Sequence, residues 1–277
     1  MRFKTAIAFC LIAARAVAGD YAPAAGQPGS TAIAHNDPAL IAWGSFNGQL
    51  TRGQKDISDV GGPLVTFGDP VEAAKRADAI NESTLNDPAR VVSLGDGGSI
   101  TLVFNDPIFN GPSWDFAVFE NAFNDAFLEL AFVEVFDGDT WARFPTHSQT
   151  QFINQIDQAD TANDELDPTN LNGFAGKYRA GFGTPFDLTI LAATPGLDIN
   201  HIVGVRIVDV VGCIDPVFAR HDSLGNIINE FWSTPFDFGG FDFDAVGAFH
   251  VIPEPATSAA LIAGCICLGF RRRRFIV

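Results

Sequence analysis

Phe127-Leu128-Glu129-Leu130-Ala131-Phe132-Val133-Glu134-Val135-Phe136 runs into Asp137-Gly138-Asp139 and then Thr140-Trp141-Ala142-Arg143-Phe144. Two strand-like runs joined by Asp-Gly predict a β-hairpin, since glycine accepts the positive φ of a tight reversal. Runs of the same kind recur at 39–46, 90–94, 99–104, 114–119, 186–191, 201–211 and 241–251. Turn signals lie between them: Asn47-Gly48, Asp96-Gly97-Gly98, Asn110-Gly111, Asn172-Gly173 and Gly225-Asn226. Many short strands without alternating helices predict a mainly β chain, an antiparallel β-sandwich or jelly-roll-like single domain. One helix is predicted, with Asp69 as N-cap, Pro70 in the first turn and 71–77 following. The polar stretch 146–172 reads as a long loop with a short helix around 152–158.

The aromatic residues point to a packed interior. The chain has 26 Phe and only 2 Tyr, and Phe carries no polar handle. Phe104, Phe116, Phe119, Phe132, Phe136, Phe241, Phe243 and Phe249 are therefore expected to pack the sheets. Trp43, Trp114, Trp141 and Trp232 are the candidates for sugar-stacking platforms, with Trp114 and Trp141 the first choice for ligand binding.

The two ends read as export signals. Residues 1–18 carry Arg2 and Lys4, an apolar stretch from Ala6 to Ala14, and Ala16-Val17-Ala18 before Gly19. This order is that of a secretory signal peptide. At the other end Pro253-Glu254-Pro255 precedes 15 mostly apolar residues, Ala256 to Phe270, and then Arg271, Arg272, Arg273 and Arg274. The apolar run falls short of the roughly 20 residues of a full membrane span. Four arginines behind it hold the extreme C-terminus on the cytoplasmic side, which puts the body, 19–252, outside the inner membrane.

The segment 253–277 resembles a PEP-CTERM sorting signal, in which a Pro-Glu-Pro triplet, a short hydrophobic stretch and an arginine cluster follow in that order. The resemblance implies a Gram-negative source, transient anchoring in the inner membrane, and removal of the tail by an exosortase. By it, Pro253, Glu254 and Pro255 are recognition residues for that enzyme and have no catalytic role. Such signals accompany exopolysaccharide production, so the resemblance also implies a cell-surface or extracellular-matrix destination with polysaccharide as a partner. The phrases Asp115-Phe116-Ala117-Val118-Phe119-Glu120-Asn121, Ala175-Gly176-Lys177-Tyr178 and Gly239-Gly240-Phe241-Asp242 are similar to a family of bacterial cell-surface proteins. That likeness implies an extracellular β-rich domain and carries no activity with it.

Composition narrows the partners. Of 17 basic residues seven lie in the two terminal segments, and of 33 acids only Glu254 does. The body thus holds 10 bases against 32 acids, a net charge of −22. Nucleic acid and anionic lipid surfaces, both held chiefly by basic residues, are poor partners. Of the four cysteines only Cys213 lies in the body. No disulfide can form within it, and Cys213 is read as a small buried hydrophobe.

Acids that interrupt apolar strands carry the remaining chemistry. Asp115 opens one strand and Glu120-Asn121 closes it; Asp209 shares a face with Val205, Ile207 and Val211; Asp242 and Asp244 alternate with Phe241 and Phe243. A carboxylate among apolar residues has to be paired, hydrogen-bonded or metal-bound. Asp115, Glu120, Asn121, Asp209 and Asp242 are therefore the candidate ligands of a Ca²⁺ ion, which takes hard oxygen donors. Asp242 and Asp244 also fit the plainer expectation of a solvated strand face, and backbone amides, Arg206 and Arg143 are the alternative partners for these acids. Asp222-Ser223-Leu224-Gly225-Asn226 is a loose match to a calcium loop. No His-Glu-x-x-His, Gly-x-Ser-x-Gly or phosphate-binding glycine loop occurs, and the five histidines are scattered. The expectation is a non-catalytic surface or matrix protein that binds or structures polysaccharide. A carbohydrate-active hydrolase using a carboxylate pair and a purely structural coat protein are the alternatives.

Overall fold

The computed structural model describes residues 19–73, 75–81, 83–151, 154–157 and 166–253. The expected signal peptide, the tail from Glu254 with Arg271 to Arg274, and residues 152, 153 and 158 of the expected short helix lie outside them; the described part of that expected helix, 154–157, is not helical. Among the described residues no helix is long and apolar enough to cross a membrane.

The described chain is mainly β. Its strands are β1 (Ile33–Ala34), β2 (Ala42–Trp43), β3 (Ser45–Thr51), β4 (Val92–Ser93), β5 (Ser99–Ile108), β6 (Phe116–Glu120), β7 (Ala131–Phe136), β8 (Trp141–Arg143), β9 (His147–Ser148), β10 (Leu171–Asn172), β11 (Phe182–Phe186), β12 (Ile202–Asp209) and β13 (Asp242–Ala248). One sheet has the order β1-β11-β6-β13-β2, with β4 also paired to β13; a second has the order β3-β5-β12-β7-β8. A two-stranded ribbon pairs β9 with β10. Every named pairing is antiparallel.

The chain passes repeatedly from one sheet to the other: β2 to β3, β4 to β5, β6 to β7, and β11 through β12 to β13. The tightest crossing is Gly44, between β2 and β3. Its N–H donates to Val246 O at 2.9 Å, and a Cβ there would come within 2.9 Å of Leu102 Cβ. Only glycine lets the backbone turn the corner against the second sheet. A single apolar cluster draws on both sheets, with Leu102, Val133 and Val205 from one and Phe116, Val118, Phe243 and Val246 from the other. Phe116 lies at its centre, stacked on Phe186 at 5.2 Å between ring centroids and edge-on to Phe144 at 5.8 Å. Cys213 is buried as expected.

The predicted hairpin forms: Phe136 faces Trp141 across Asp137 to Thr140, and Gly138 takes φ +110°. Asp137 Oδ1 accepts the N–H groups of Asp139 and Thr140. Asp69 caps the predicted helix, accepting Val71 N–H at 2.9 Å, but the α-helix covers only Pro70–Ala73. Three readings need correction. The run 186–191 is not one strand, because β11 ends at Phe186 and Asp187 caps a 3-10 turn over Leu188–Leu191. Asn47-Gly48 does not separate strands; it loops out within β3, whose pairing jumps from Phe46↔Leu102 to Leu50↔Ile100. The expected long loop holds β9, β10 and a second 3-10 turn, Pro168–Asn170, capped by Asp167.

Phe116→Ala removes a fully buried ring from the layer both sheets share, and is expected to destabilise the protein by about 3–5 kcal/mol, read as a lower urea midpoint.

Candidate functional site

Antiparallel pairing places directly opposed residues on one face, so the register dictates what the outer face of the five-stranded sheet displays. One row runs Ser45, Val103, Gly204, Phe136, Trp141, and the next runs Thr101, Arg206, Glu134, Arg143. The row between them, Leu102, Val205, Val135 and Ala142, points into the core. The outward rows border a groove of about 590 Å³ whose lining includes Trp141, Arg206, Thr101, Asn105 and, from the looped-out segment of β3, Asn47 and Gln49. Gly204 forms part of its floor.

Trp141 is held in place by neighbours on its own sheet. Phe136 stacks on it at 4.7 Å, and the Arg206 guanidinium lies 4.2 Å from the ring centroid. About 36 % of Trp141 stays exposed, so what it offers the groove is the surface these two leave uncovered. Phe136, expected in the core, instead faces outward as part of this wall. Arg206 and Arg143 both pair with Glu134, which carries one negative charge against their two. In a body with a net charge of −22, this stretch of sheet is locally positive. Among the described residues no acidic side chain lines the groove.

Trp114 is elsewhere. It is half-buried and lines a separate cavity of about 280 Å³ with Pro112, Phe249 and His250. Trp43 packs on Phe119, and Trp232 donates its indole N–H to Asp96 at 3.1 Å. The two tryptophans singled out as ligand-binding therefore do not form one site.

The acids inside the strands divide by how their oxygens are satisfied. Asp115 accepts the N–H groups of Gly111 and Leu188, both at 2.7 Å. Asp209 accepts those of Gly97 at 2.8 Å and Phe241 at 2.7 Å. Asp244 receives Asp78 and Ala79, and Glu230 receives Leu130. Asp222, in the loose calcium-loop match, is ringed by the N–H groups of Ser148, Leu224 and Asn226, which hold it below the usual carboxylate range against the opposing effect of burial. Burial raises Asp115, Asp209, Asp244 and Glu230 above that range, and their amide partners only temper the effect.

A second set has no such solution. Glu120 is 1 % exposed, and among the described residues neither of its carboxylate oxygens has a hydrogen-bond partner. The N–H groups of Ala122 and Asn121 lie near enough to oppose the desolvation without meeting hydrogen-bond geometry. Glu129 is 7 % exposed; burial first, then the charges of Asp242, Glu120, Glu230 and Asp209, push its carboxyl well up. Asp242 accepts from Ser93 Oγ and, at 3.3 Å, from Asn121 Nδ2, and burial pushes it up to about 7. The plainer expectation that Asp242 and Asp244 mark a solvated face is corrected: both are buried. Strand β13 is flanked by β6 on one side and by β2 and β4 on the other.

Of the five candidate calcium ligands, the structure keeps Glu120, Asn121 and Asp242 together, since Glu120 faces Phe243 across the sheet and Asn121 bonds Asp242. Asp115 sits at the opposite end of β6, about 16 Å of extended chain away. Among the described residues no three His, Cys, Asp or Glu side chains are drawn together as a formed metal site. Glu129 and Glu134 were not among the candidates; both lie in the run that predicted the hairpin, where an acid between apolar residues was the available signal. No family model matches the chain, and no curated protein matches it.

Two outcomes follow from these burial patterns. Asp115→Ala leaves two backbone N–H groups without an acceptor and is expected to lower unfolding free energy by about 2–4 kcal/mol, measured by urea titration. Lys177 is 4 % exposed, donates to Leu171 O at 2.7 Å, and is lowered by burial from 10.5 to about 8. Below pH 8 both states carry the proton and the fold bears the full desolvation. Between 8 and 10.5 the unfolded chain binds more protons than the folded one, so this residue's contribution to stability rises with pH. The unfolding free energy of wild type relative to Lys177→Met is expected to increase across that window, by up to about 3 kcal/mol.

Proposed function

We propose that this chain is an exported cell-surface or extracellular-matrix protein that binds or structures polysaccharide through the outer face of its five-stranded sheet. In this reading residues 1–18 direct export. The segment 253–277, with Pro253-Glu254-Pro255 and Arg271 to Arg274, tethers the chain in the inner membrane of a Gram-negative bacterium until an exosortase removes it. The body, 19–252, is read as one β-sandwich of jelly-roll type, to which the repeated crossings between two antiparallel sheets lend support.

One observation carries the binding assignment: the groove of about 590 Å³ combines an exposed indole, an arginine and the side chains of Asn47, Gln49, Thr101 and Asn105. Sugars present apolar ring faces and many hydroxyls, so an aromatic edge beside amides and a guanidinium matches both. A hydrolase needs two carboxyl groups about 5–10 Å apart across the scissile bond, and the described residues of the groove wall include none. The lining therefore favours a binder over a hydrolase.

Equilibrium binding of the purified protein to the producing organism's own exopolysaccharide tests this. Saturable binding is expected. Gly204→Val is the sharpest variant: a Cβ there meets Phe136 at 3.5 Å, ordinary contact, so the added methyls fill the groove floor while the strand is preserved. It should weaken binding about tenfold or more, as should Trp141→Ala, whereas Trp114→Ala should leave it unchanged. Absence of saturable binding would leave the structural coat protein as the reading.

A further inference from the structure

Trp114 lies outside the groove and lines a cavity of about 280 Å³ together with Ile33, Asp37, Pro112, Phe249 and His250. Three chain segments supply these walls: β1 and the turn after it, the connection between β5 and β6, and the residues just past β13. Hydrogen bonds that do not use the cavity hold them together. Asp115 Oδ1 accepts Gly111 N–H at 2.7 Å and closes the loop that carries Pro112 and Trp114. The Asp115 carbonyl accepts Phe249 N–H at 2.8 Å, and His250 Nε2 lies 3.2 Å from the carbonyl oxygen of Pro112. Glycine at 111 permits this approach, because a Cβ there would fall 2.3 Å from the His250 ring. Between these anchors Ser113 holds φ +69°, a left-handed backbone that residues other than glycine adopt sparingly. Such a conformation persists only where its surroundings over-determine it, so the indole of Trp114 is carried on a fixed loop.

The walls are mostly apolar and carry one firm charge. Asp37 is the one carboxylate among the described lining residues, and no lysine or arginine is among them. Its Oδ1 accepts Ala39 N–H at 2.9 Å, which leaves Oδ2 for a guest. An anion therefore meets no Lys or Arg there. A sugar ring would bring several hydroxyls against Ile33, Pro112, Trp114 and Phe249 and would lose their water for few replacements. The volume lies at the small end of ligand sites, roughly 300–1,000 Å³, so the guest is a single small group. A quaternary ammonium meets all three limits. It needs no hydrogen bond, its methyl groups pack on apolar walls, and aromatic faces and a carboxylate both attract its charge. The body's net charge of −22 adds a field that draws cations.

We infer that this cavity binds an alkylated ammonium group of the choline class, with Trp114 and Phe249 as aromatic walls and Asp37 as counter-ion. The site is separate from the groove and does not depend on the polysaccharide reading. Ala39, Pro112 and Ser113 are exposed and border the cavity, so it opens to solvent. A free choline-type solute and a phosphatidylcholine headgroup present the same chemistry to it.

The test is titration calorimetry of the purified protein with choline chloride at constant ionic strength. The comparison ligand is choline's uncharged carbon analogue, in which a tert-butyl group replaces the trimethylammonium. Choline should bind saturably at one site, about tenfold or more tighter than the analogue. Asp37→Asn keeps an acceptor for Ala39 N–H, so it should fold as wild type and weaken choline about tenfold. Trp114→Ala should abolish saturable binding, and Trp114→Phe, which keeps a ring and guards against misfolding, should retain part of it. Phosphatidylcholine vesicles form the second arm. Co-sedimentation that choline displaces would identify the lipid headgroup as the source; choline binding without it would identify a free solute, and either supports the inference. Absence of saturable choline binding to wild type overturns it. So does equal binding of the uncharged analogue, or a choline affinity that Asp37→Asn leaves unchanged.

Discussion

The carboxylate of Asp209 ties together backbone segments that belong to different sheets. It ends β12 in the five-stranded sheet, yet its two oxygens accept the N–H of Gly97, from the turn between β4 and β5, and that of Phe241, just ahead of β13 in the other sheet. One side chain thereby joins both sheets where the chain crosses between them. Backbone N–H groups at strand ends have no ladder partner and still have to be satisfied when buried. The fold meets that demand repeatedly with acids: Asp115 for Gly111 and Leu188, Glu230 for Leu130, Asp244 for Asp78 and Ala79. Aspartate reaches two amides with little side-chain entropy to lose, which suits a protein made of short strands and many crossings.

The same pleat that buries Leu102, Val135 and Val205 turns Thr101, Glu134 and Arg206 outward. Core and groove are thus two sides of one register, and a slip by one residue would exchange them. The looped-out Asn47–Gln49 segment adds amides at the groove's margin without disturbing the flanking pairs. Shared pairing to Glu134 keeps Arg206 oriented beside Trp141 while leaving a net positive charge on that face.

Much of the strand pattern was legible in the chain. The Asp137-Gly138 hairpin, the Asp69 cap and the central runs of β5, β7, β12 and β13 follow from alternation and turn chemistry, which act over a few residues. The errors have the same physical origin in reverse. Asn47-Gly48 has the composition of a strand-ending turn, but the partner strand β5 continues past it and converts the turn into a bulge. Asp242 and Asp244 have the alternation of a half-exposed strand, but the chain around Asp78 and Ala79, whose N–H groups bond Asp244, covers that second face, and both acids are buried. Glu129 and Glu134 look alike in one run, yet one is buried beside Asp242 and the other is tied to two arginines.

Local rules were sufficient for the mainly β character, the hairpin, the caps and the acidity of the body, because backbone preferences and charge are properties of short segments and of composition. The pairing order of the strands, the choice of which acids meet an amide, and the meeting of Trp141 with Arg206 or of Glu129 with Asp242 were decided by tertiary structure alone. These contacts join residues 65 to 113 positions apart, and no short-range pattern encodes which distant strand a given face will oppose.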